Sequence, residues 1–149
     1  MTVIAFDGKT VAADKQSTNC GNPAKVTKIF HVPGGIVAFS GSGAHAVELL
    51  PWFKNSRNPG AFPKSRSNDA DDAAGAMFIT KTGEIYLYTA YSPYPELIEM
   101  PIYARGSGRD YALAVLSMGY DAVKAVEVAC ELDVFCGMGI DALKISDIK

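Results

Sequence analysis

Cysteine is scarce in this sequence: Cys20, Cys130 and Cys136 are the only three. An odd number without paired spacing fits neither a secreted disulfide framework nor a zinc site. A reducing cytoplasm is therefore the expected setting, and no metal is expected. Histidine is scarcer still. His31 and His45 have no partner at the spacing of a metal site or a catalytic triad, so both read as structural or surface residues. Charge of either sign is not in excess: the net charge is −2 and the pI is about 5.6. A nucleic-acid surface needs a concentrated basic face. The one basic cluster, Lys54, Arg57, Lys64 and Arg66, runs into Asp69, Asp71 and Asp72, and reads as a solvated loop. Long apolar runs are missing too. None approaches the roughly 20 residues of a membrane span, and the first residues lack the charged and apolar regions of a signal peptide. Neither nucleic acid nor membrane is an expected partner, and Thr2 is expected to act at the chain's true start.

What remains is an ordinary globular composition. The chain has 149 residues, 48% hydrophobic and 20% charged. That suggests one domain over residues 1–149, long enough to bury a core without staples. No internal repeat or linker interrupts it. Val3 to Phe6 and Thr10 to Ala13 read as strands about an Asp7-Gly8 turn, a pair that takes positive φ cheaply. Residues 15 to 25 read as a loop, Val26 to Val32 and Ile36 to Phe39 as strands. Gly41-Ser42-Gly43 breaks the strand. Ala46, Leu49, Leu50 and Phe53 follow at helical spacing, with Pro51 expected to kink or end the helix. Leu49, Leu50, Trp52 and Phe53 read as a bare face for partners to cover. Residues 54 to 75 form a long loop. A second hairpin turns at Lys81-Thr82-Gly83, and Ile102 to Ala104 is another strand. After Gly106-Ser107-Gly108 come helices, one with Tyr111, Val115 and Leu116 on a face. Asp121 is placed to cap the other. The tail from Asp141 to Ile145 reads as a returning strand. Strands and helices segregated in this way indicate α+β, and sheets apolar on both faces need cover on both sides. A four-layer αββα sandwich of mainly antiparallel sheets meets that need.

The chemistry-bearing residues lie early in the chain. A threonine hydroxyl is a poor nucleophile at neutral pH. A free α-amine on the same residue can serve as its base, and an ammonium held by a carboxylate favours the reactive form. Thr2, Asp14 and Lys25 supply those groups, although Asp14 and Lys25 also fit a plain structural ion pair.

At the level of motifs the chain resembles the proteasome β-subunit family, and within it the HslV-like peptidases, of the N-terminal nucleophile (Ntn) hydrolases. Five segments in order carry the resemblance. They are Thr2-Val3-Ile4; Ala12-Ala13-Asp14-Lys15-Gln16-Ser17-Thr18; Lys25-Val26-Thr27-Lys28-Ile29; Phe39-Ser40-Gly41-Ser42-Gly43-Ala44; and Gly106-Ser107-Gly108-Arg109-Asp110-Tyr111-Ala112. The resemblance implies that Thr2 is the nucleophile once Met1 is removed, and that Asp14 and Lys25 tune it. It makes the Gly41 N–H the oxyanion donor, with Ser107 and Asp133 organising the amine and its water. Ser17, Thr18 and Gly43 then contact an extended peptide. Cys136 stands where the family usually has serine, a weaker donor. The first hairpin is shorter than in the bacterial relatives, and a loop replaces the family's second long helix.

The resemblance thus implies a cytoplasmic threonine endopeptidase that needs no cofactor. It would form a homo-oligomeric ring acting on unfolded polypeptide or peptide, with a ring-shaped ATPase as a candidate partner. Two rival readings stand beside it. One is a catalytically inactive proteasome-like assembly protein, and the other an open small-amide Ntn hydrolase.

Overall fold

The computed structural model describes residues 1–19, 21–66, 74–89 and 91–149. Cys20 and the acidic run Asp69, Asp71 and Asp72 lie outside these. The Asp7-Gly8 turn sets the first sheet. Asp7 Oδ1 accepts from the N–H groups of Lys9 and Thr10 at 2.9 and 2.8 Å. β1 (Val3–Phe6) and β2 (Thr10–Asp14) fold back across it, Ile4 opposite Ala13 and Phe6 opposite Val11. β10 (Tyr103–Gly106) joins β1 antiparallel, and β11 (Ile140–Lys144) joins β2. The order is β10-β1-β2-β11. The second sheet is β5 (Ile29–Val32), β6 (Gly35–Gly41), β7 (Ala74–Thr80), β8 (Ile85–Tyr88) and β9 (Glu96–Ile98), in that order and antiparallel.

Alternation along the strands sorts the core into three layers. Ile4, Phe6, Val11 and Ala13 face the second sheet's Ile29, Ile36, Ala38, Met77, Ile79 and Ile85. Val3, Ala5 and Ala12 point the other way, onto α2 (Arg109–Ser117) and α3 (Ala122–Leu132), where Ala112, Ala125 and Ala129 let the helices lie close. The second sheet's outer residues Val37, Phe39, Ala76 and Phe78 receive Leu49, Trp52 and Phe53 of α1 (Gly43–Lys54). Both sheets are covered on both faces, which is why β1 and β2 read as nearly continuous apolar runs rather than clean alternations. The fold is the four-layer αββα sandwich, with α1 covering the outer face of the second sheet.

Several local expectations are corrected. Residues 15 to 25 are not a loop: β3 (Gln16–Asn19) and β4 (Asn22–Lys25) form a two-stranded hairpin. The following strand consequently starts at Ile29, not Val26. Pro51 does not break α1. Pro51 and Val47 share its exposed face, so the carbonyl that proline leaves unpaired is on the solvent side. Leu49, Trp52 and Phe53 are core residues, which removes the bare face expected there. On α2, Ala112 and Leu116 are buried, while Tyr111 is exposed. Large exposed apolar side chains lie elsewhere, notably Leu132, Val134 and Phe135.

Candidate functional site

β1 begins where it does because the N–H of Val3 donates to Asp14 Oδ1 at 3.0 Å. That bond brings the chain start to the end of β2. Asp14 is completely buried. Its Oδ1 also accepts from Lys28 Nζ at 2.7 Å. Its Oδ2 accepts from the N–H groups of Gln16 and Gly137, at 3.2 and 3.1 Å. A carboxylate out of water needs such a shell of donors, because an unpaired buried charge is costly. Here the donors come from β1, β3, the segment before β11 and one lysine.

The lysine is Lys28. Its ammonium is also 3.0 Å from Thr2 Oγ1 and donates to the Met1 carbonyl at 3.3 Å. The expectation for Lys25 is therefore corrected. Lys25 ends β4, is exposed, and pairs in register with Gln16. The β3–β4 hairpin uses up residues 16–25, so the last residue before the inner strand is Lys28. Lys28 lay inside the motif already singled out. Its signal is the Gly21 turn, with φ at +83°. Reading Asn19 to Asn22 as a hairpin tip moves the strand start three residues along.

Thr2 is buried. Its hydroxyl donates to the Met1 carbonyl oxygen at 2.7 Å, and its N–H donates to Ser107 Oγ at 3.2 Å. Ser107 reaches it because β10 ends in Gly106, with φ at +97°, where an added Cβ would lie 2.0 Å from the Thr2 carbonyl oxygen. The chain then returns, and the N–H of Gly108 donates to that same oxygen at 3.2 Å. Behind Ser107 lies Cys136 Sγ, 3.7 Å from Ser107 Oγ, and the thiol donates to Asp133 Oδ2 at 3.4 Å. Burial pushes the Cys136 thiol up to about 12, so it stays protonated. Burial works to raise Asp133 as well. The Phe135 N–H, the Ser107 and Cys136 hydrogen bonds and the nearby terminal amine outweigh it, and the carboxyl lies below its ordinary range. Asp133 also caps α3, its own N–H donating to the Ala129 carbonyl at 2.8 Å.

Gly41 ends β6 with φ at +89° and lines the same cleft as Thr2. Ser42 caps α1, its Oγ accepting from the His45 N–H at 3.3 Å. His45 is buried and fully engaged. Nδ1 accepts from the Ala74 N–H at 3.2 Å, and Nε2 lies 2.7 Å from the Pro63 carbonyl, so the proton belongs on Nε2. Ala74 is the strand partner of Gly41. The histidine thus pins the chain beside the glycine turn. Ser17 and Thr18 lie on β3, and Gly43 opens α1; none of the three lines the cleft with Thr2. Among the described residues, no group of His, Cys, Asp and Glu could hold a metal.

The site therefore assembles a hydroxyl, an ammonium and a buried carboxylate in one hydrogen-bonded line. A serine stands at the threonine nitrogen, and a glycine turn stands across the cleft.

No family model and no characterised sequence matches the chain. Solved structures match over nearly its whole length. Thiobacillus denitrificans BPH aligns with a TM-score of 0.72 at 21% identity, covering 99% of this chain and 100% of that one. The same protein in complex with epoxomicin gives 0.72 at 20% identity, over 98% and 100%. Eukaryotic HslV from Trypanosoma brucei gives 0.67 at 22% identity, over 96% and 97%. The chain has the α+β fold of these structures. Among the described residues no helix is long and apolar enough to cross a membrane.

Proposed function

We propose that this chain is a threonine peptidase that hydrolyses peptide bonds with Thr2 as nucleophile. The observation that carries the reading is Lys28 Nζ, 2.7 Å from Asp14 Oδ1 and 3.0 Å from Thr2 Oγ1. An ammonium fixed by a buried carboxylate stabilises the developing alkoxide of Thr2. The Met1–Thr2 amide must first be hydrolysed, because an amide nitrogen is no base. The freed α-amine, held beside Ser107, takes the hydroxyl proton as Oγ1 attacks the substrate carbonyl. The Gly41 N–H is assigned to the resulting oxyanion. The α-amine then returns the proton to the departing amine, leaving an ester on Thr2. Water attacks that ester, the carboxylic acid leaves, and the hydroxyl is restored. No cofactor takes part.

The assembly proposed is a homo-oligomeric ring in the cytoplasm acting on unfolded polypeptide or peptides, and a ring-shaped ATPase is the class of partner that would deliver such chains. Exposed Leu132, Val134 and Phe135, beside the Asp133–Cys136 turn, support an apolar contact with further copies.

The test compares the protein with Thr2→Ala and Thr2→Ser. Intact mass establishes that Met1 is gone in each. The expected result is turnover of a fluorogenic peptide by the parent, less by Thr2→Ser and none by Thr2→Ala, with an epoxyketone adduct on the parent and Thr2→Ser but not on Thr2→Ala. Equal turnover in all three would remove Thr2 as nucleophile. No turnover in a Met1-free assembled ring would favour an assembly role. A monomer that cleaves small amides would favour an open hydrolase.

A further inference from the structure

The cleft holding Thr2 has a volume of about 490 Å³, and its lining includes Thr2, Ser40, Gly41, Tyr103, Arg105 and Arg109. Among the described residues that line it, the charged side chains are Arg105 and Arg109, and no Asp or Glu is among them.

Arg105 is the unusual member. It lies opposite Ile4 in the β1–β10 register, and Ile4 faces the gap between the two sheets. Tyr103, two residues earlier on the same face, packs into that gap. Arg105 is therefore an inward-turned charge at the open end of the inter-sheet core. Its guanidinium crosses to the second sheet. A Cβ at Gly75 would lie 3.0 Å from Nη2, 3.5 Å from Cζ and 3.5 Å from Ser40 Oγ. Gly75 pairs with Ser40, the residue before Gly41. The bare glycine is what lets the guanidinium lie over the strand at this point. Arg105 is only partly exposed, yet among the described residues it has no ion-pair or hydrogen-bond partner. A planar fork of N–H donors held without an acceptor fits a carboxylate from outside the chain. Arg109 flanks it, its Nη1 donating to the Gly106 carbonyl at 3.0 Å.

The side of the scissile bond follows from the proton path. The α-amine of Thr2 must protonate the leaving amine, and its nitrogen lies at Ser107. Arg105, Gly106 and Arg109 flank Ser107 along the chain. The leaving-group half of the substrate is accordingly the half assigned to the two arginines.

We propose that Arg105, flanked by Arg109, binds a carboxylate on the leaving-group half of the substrate, making the cleft selective for acidic or C-terminal carboxylate groups just beyond the scissile bond. The assignment rests on the peptidase reading for its chemistry, but the binding site stands on its own geometry.

The test uses quenched peptides sharing one acyl half. Their leaving halves carry Glu, Gln or Lys, each with a free or an amidated C-terminus. Glu against Gln reports a side-chain carboxylate, and free against amidated ends report a terminal one. At least one carboxylate pair is expected to be favoured by about tenfold in kcat/KM, the effect of one charge-assisted bond of about 1.4 kcal/mol. Arg105→Gln should bring that ratio to about one, and Arg105→Glu should turn the preference toward Lys. In parallel, Thr2→Ala protein is titrated calorimetrically with the same leaving halves as free peptides. Carboxylate-dependent binding that Arg105→Gln removes supports the site even where no peptide is cleaved, an outcome that would sink the peptidase reading alone. Cleavage without charge preference, together with binding indifferent to charge, overturns the site. So does an Arg105→Gln protein that aggregates through its β10 edge while its soluble fraction keeps the parent's preference, since the charge would then serve only to block strand addition.

Discussion

Replacing Lys28 by methionine isolates the central ion pair. The change keeps the apolar stem and removes the ammonium. Asp14 is completely buried and loses its nearest donor, the one at 2.7 Å. Removing one partner of a buried pair costs about 3–5 kcal/mol, because the other charge stays uncompensated. Asp14 keeps the N–H groups of Val3, Gln16 and Gly137, so the lower end applies, about 3 kcal/mol. For a chain of this size that lowers the thermal midpoint by about 6–12 °C, at about 2–4 °C per kcal/mol. Lys25→Met changes an exposed side chain and is expected to cost no more than about 0.5 kcal/mol. Urea unfolding at pH 7 of both variants, of Asp14→Asn and of the doubles Asp14→Asn/Lys28→Met and Asp14→Asn/Lys25→Met completes two double-mutant cycles. A coupling of about 2 kcal/mol is expected between positions 14 and 28, and none between 14 and 25. Equal losses at Lys25 and Lys28, or an additive cycle between positions 14 and 28, would refute the assignment of Lys28. Under the proposed function Lys28→Met also abolishes peptide hydrolysis, whereas Lys25→Met retains it.

Gly106→Ala should be severely destabilising, by about 4 kcal/mol or more, since it combines positive φ with a Cβ 2.0 Å from the Thr2 carbonyl oxygen. Gly119→Ala, at φ +92° with open space around it, should cost only about 1–2 kcal/mol of backbone strain, and similar unfolding midpoints for the two would remove the close-approach argument. His45→Ala should cost roughly 2–3 kcal/mol through loss of the bonds to Ala74 and Pro63, at about 1 kcal/mol each plus lost packing. It should also slow cleavage by loosening the strand opposite Gly41, and an unchanged urea midpoint would sink that role. Stability should fall between about pH 9 and pH 12. Burial raises Cys130 to about 11 and Cys136 to about 12 from an ordinary 9.0, so the unfolded chain loses these protons first. Urea midpoints at pH 8 and pH 10.5 should diverge less in a Cys130→Ala/Cys136→Ser variant than in the parent.

The layered fold could be read from the chain because its determinants are local. Asp7-Gly8 closes a turn by its own backbone preference. Ile4 and Phe6 against Val3 and Ala5 divide a strand into two faces by period alone, and the Asp121 side chain caps α3 by accepting from the Lys124 N–H at 2.8 Å. Thr2 and Asp14 could be singled out by residue type, whereas Gly41, Ser107 and Asp133, at a strand end, beside a glycine turn and at a helix end, were singled out by the resemblance of their motifs. Register was not local. The choice between Lys25 and Lys28 depended on whether residues 16–25 paired with one another. That pairing consists of exposed backbone bonds with little apolar alternation to announce it. The fate of α1 was also tertiary: Pro51 lowers helix propensity, but burying Leu49, Trp52 and Phe53 on the second sheet outweighs it. Arg105 carried no signal as one residue of a short edge strand. Only the packing of two sheets, with a glycine opposite, turns its charge inward beside Thr2. Sequence alone determined which groups were available and which elements would carry them. The meeting of β1, β2, β6 and β10 at one end of the sandwich decided which of those groups touch, because contacts between residues as far apart as Thr2 and Ser107 are set by sheet register and burial rather than by any neighbour along the chain.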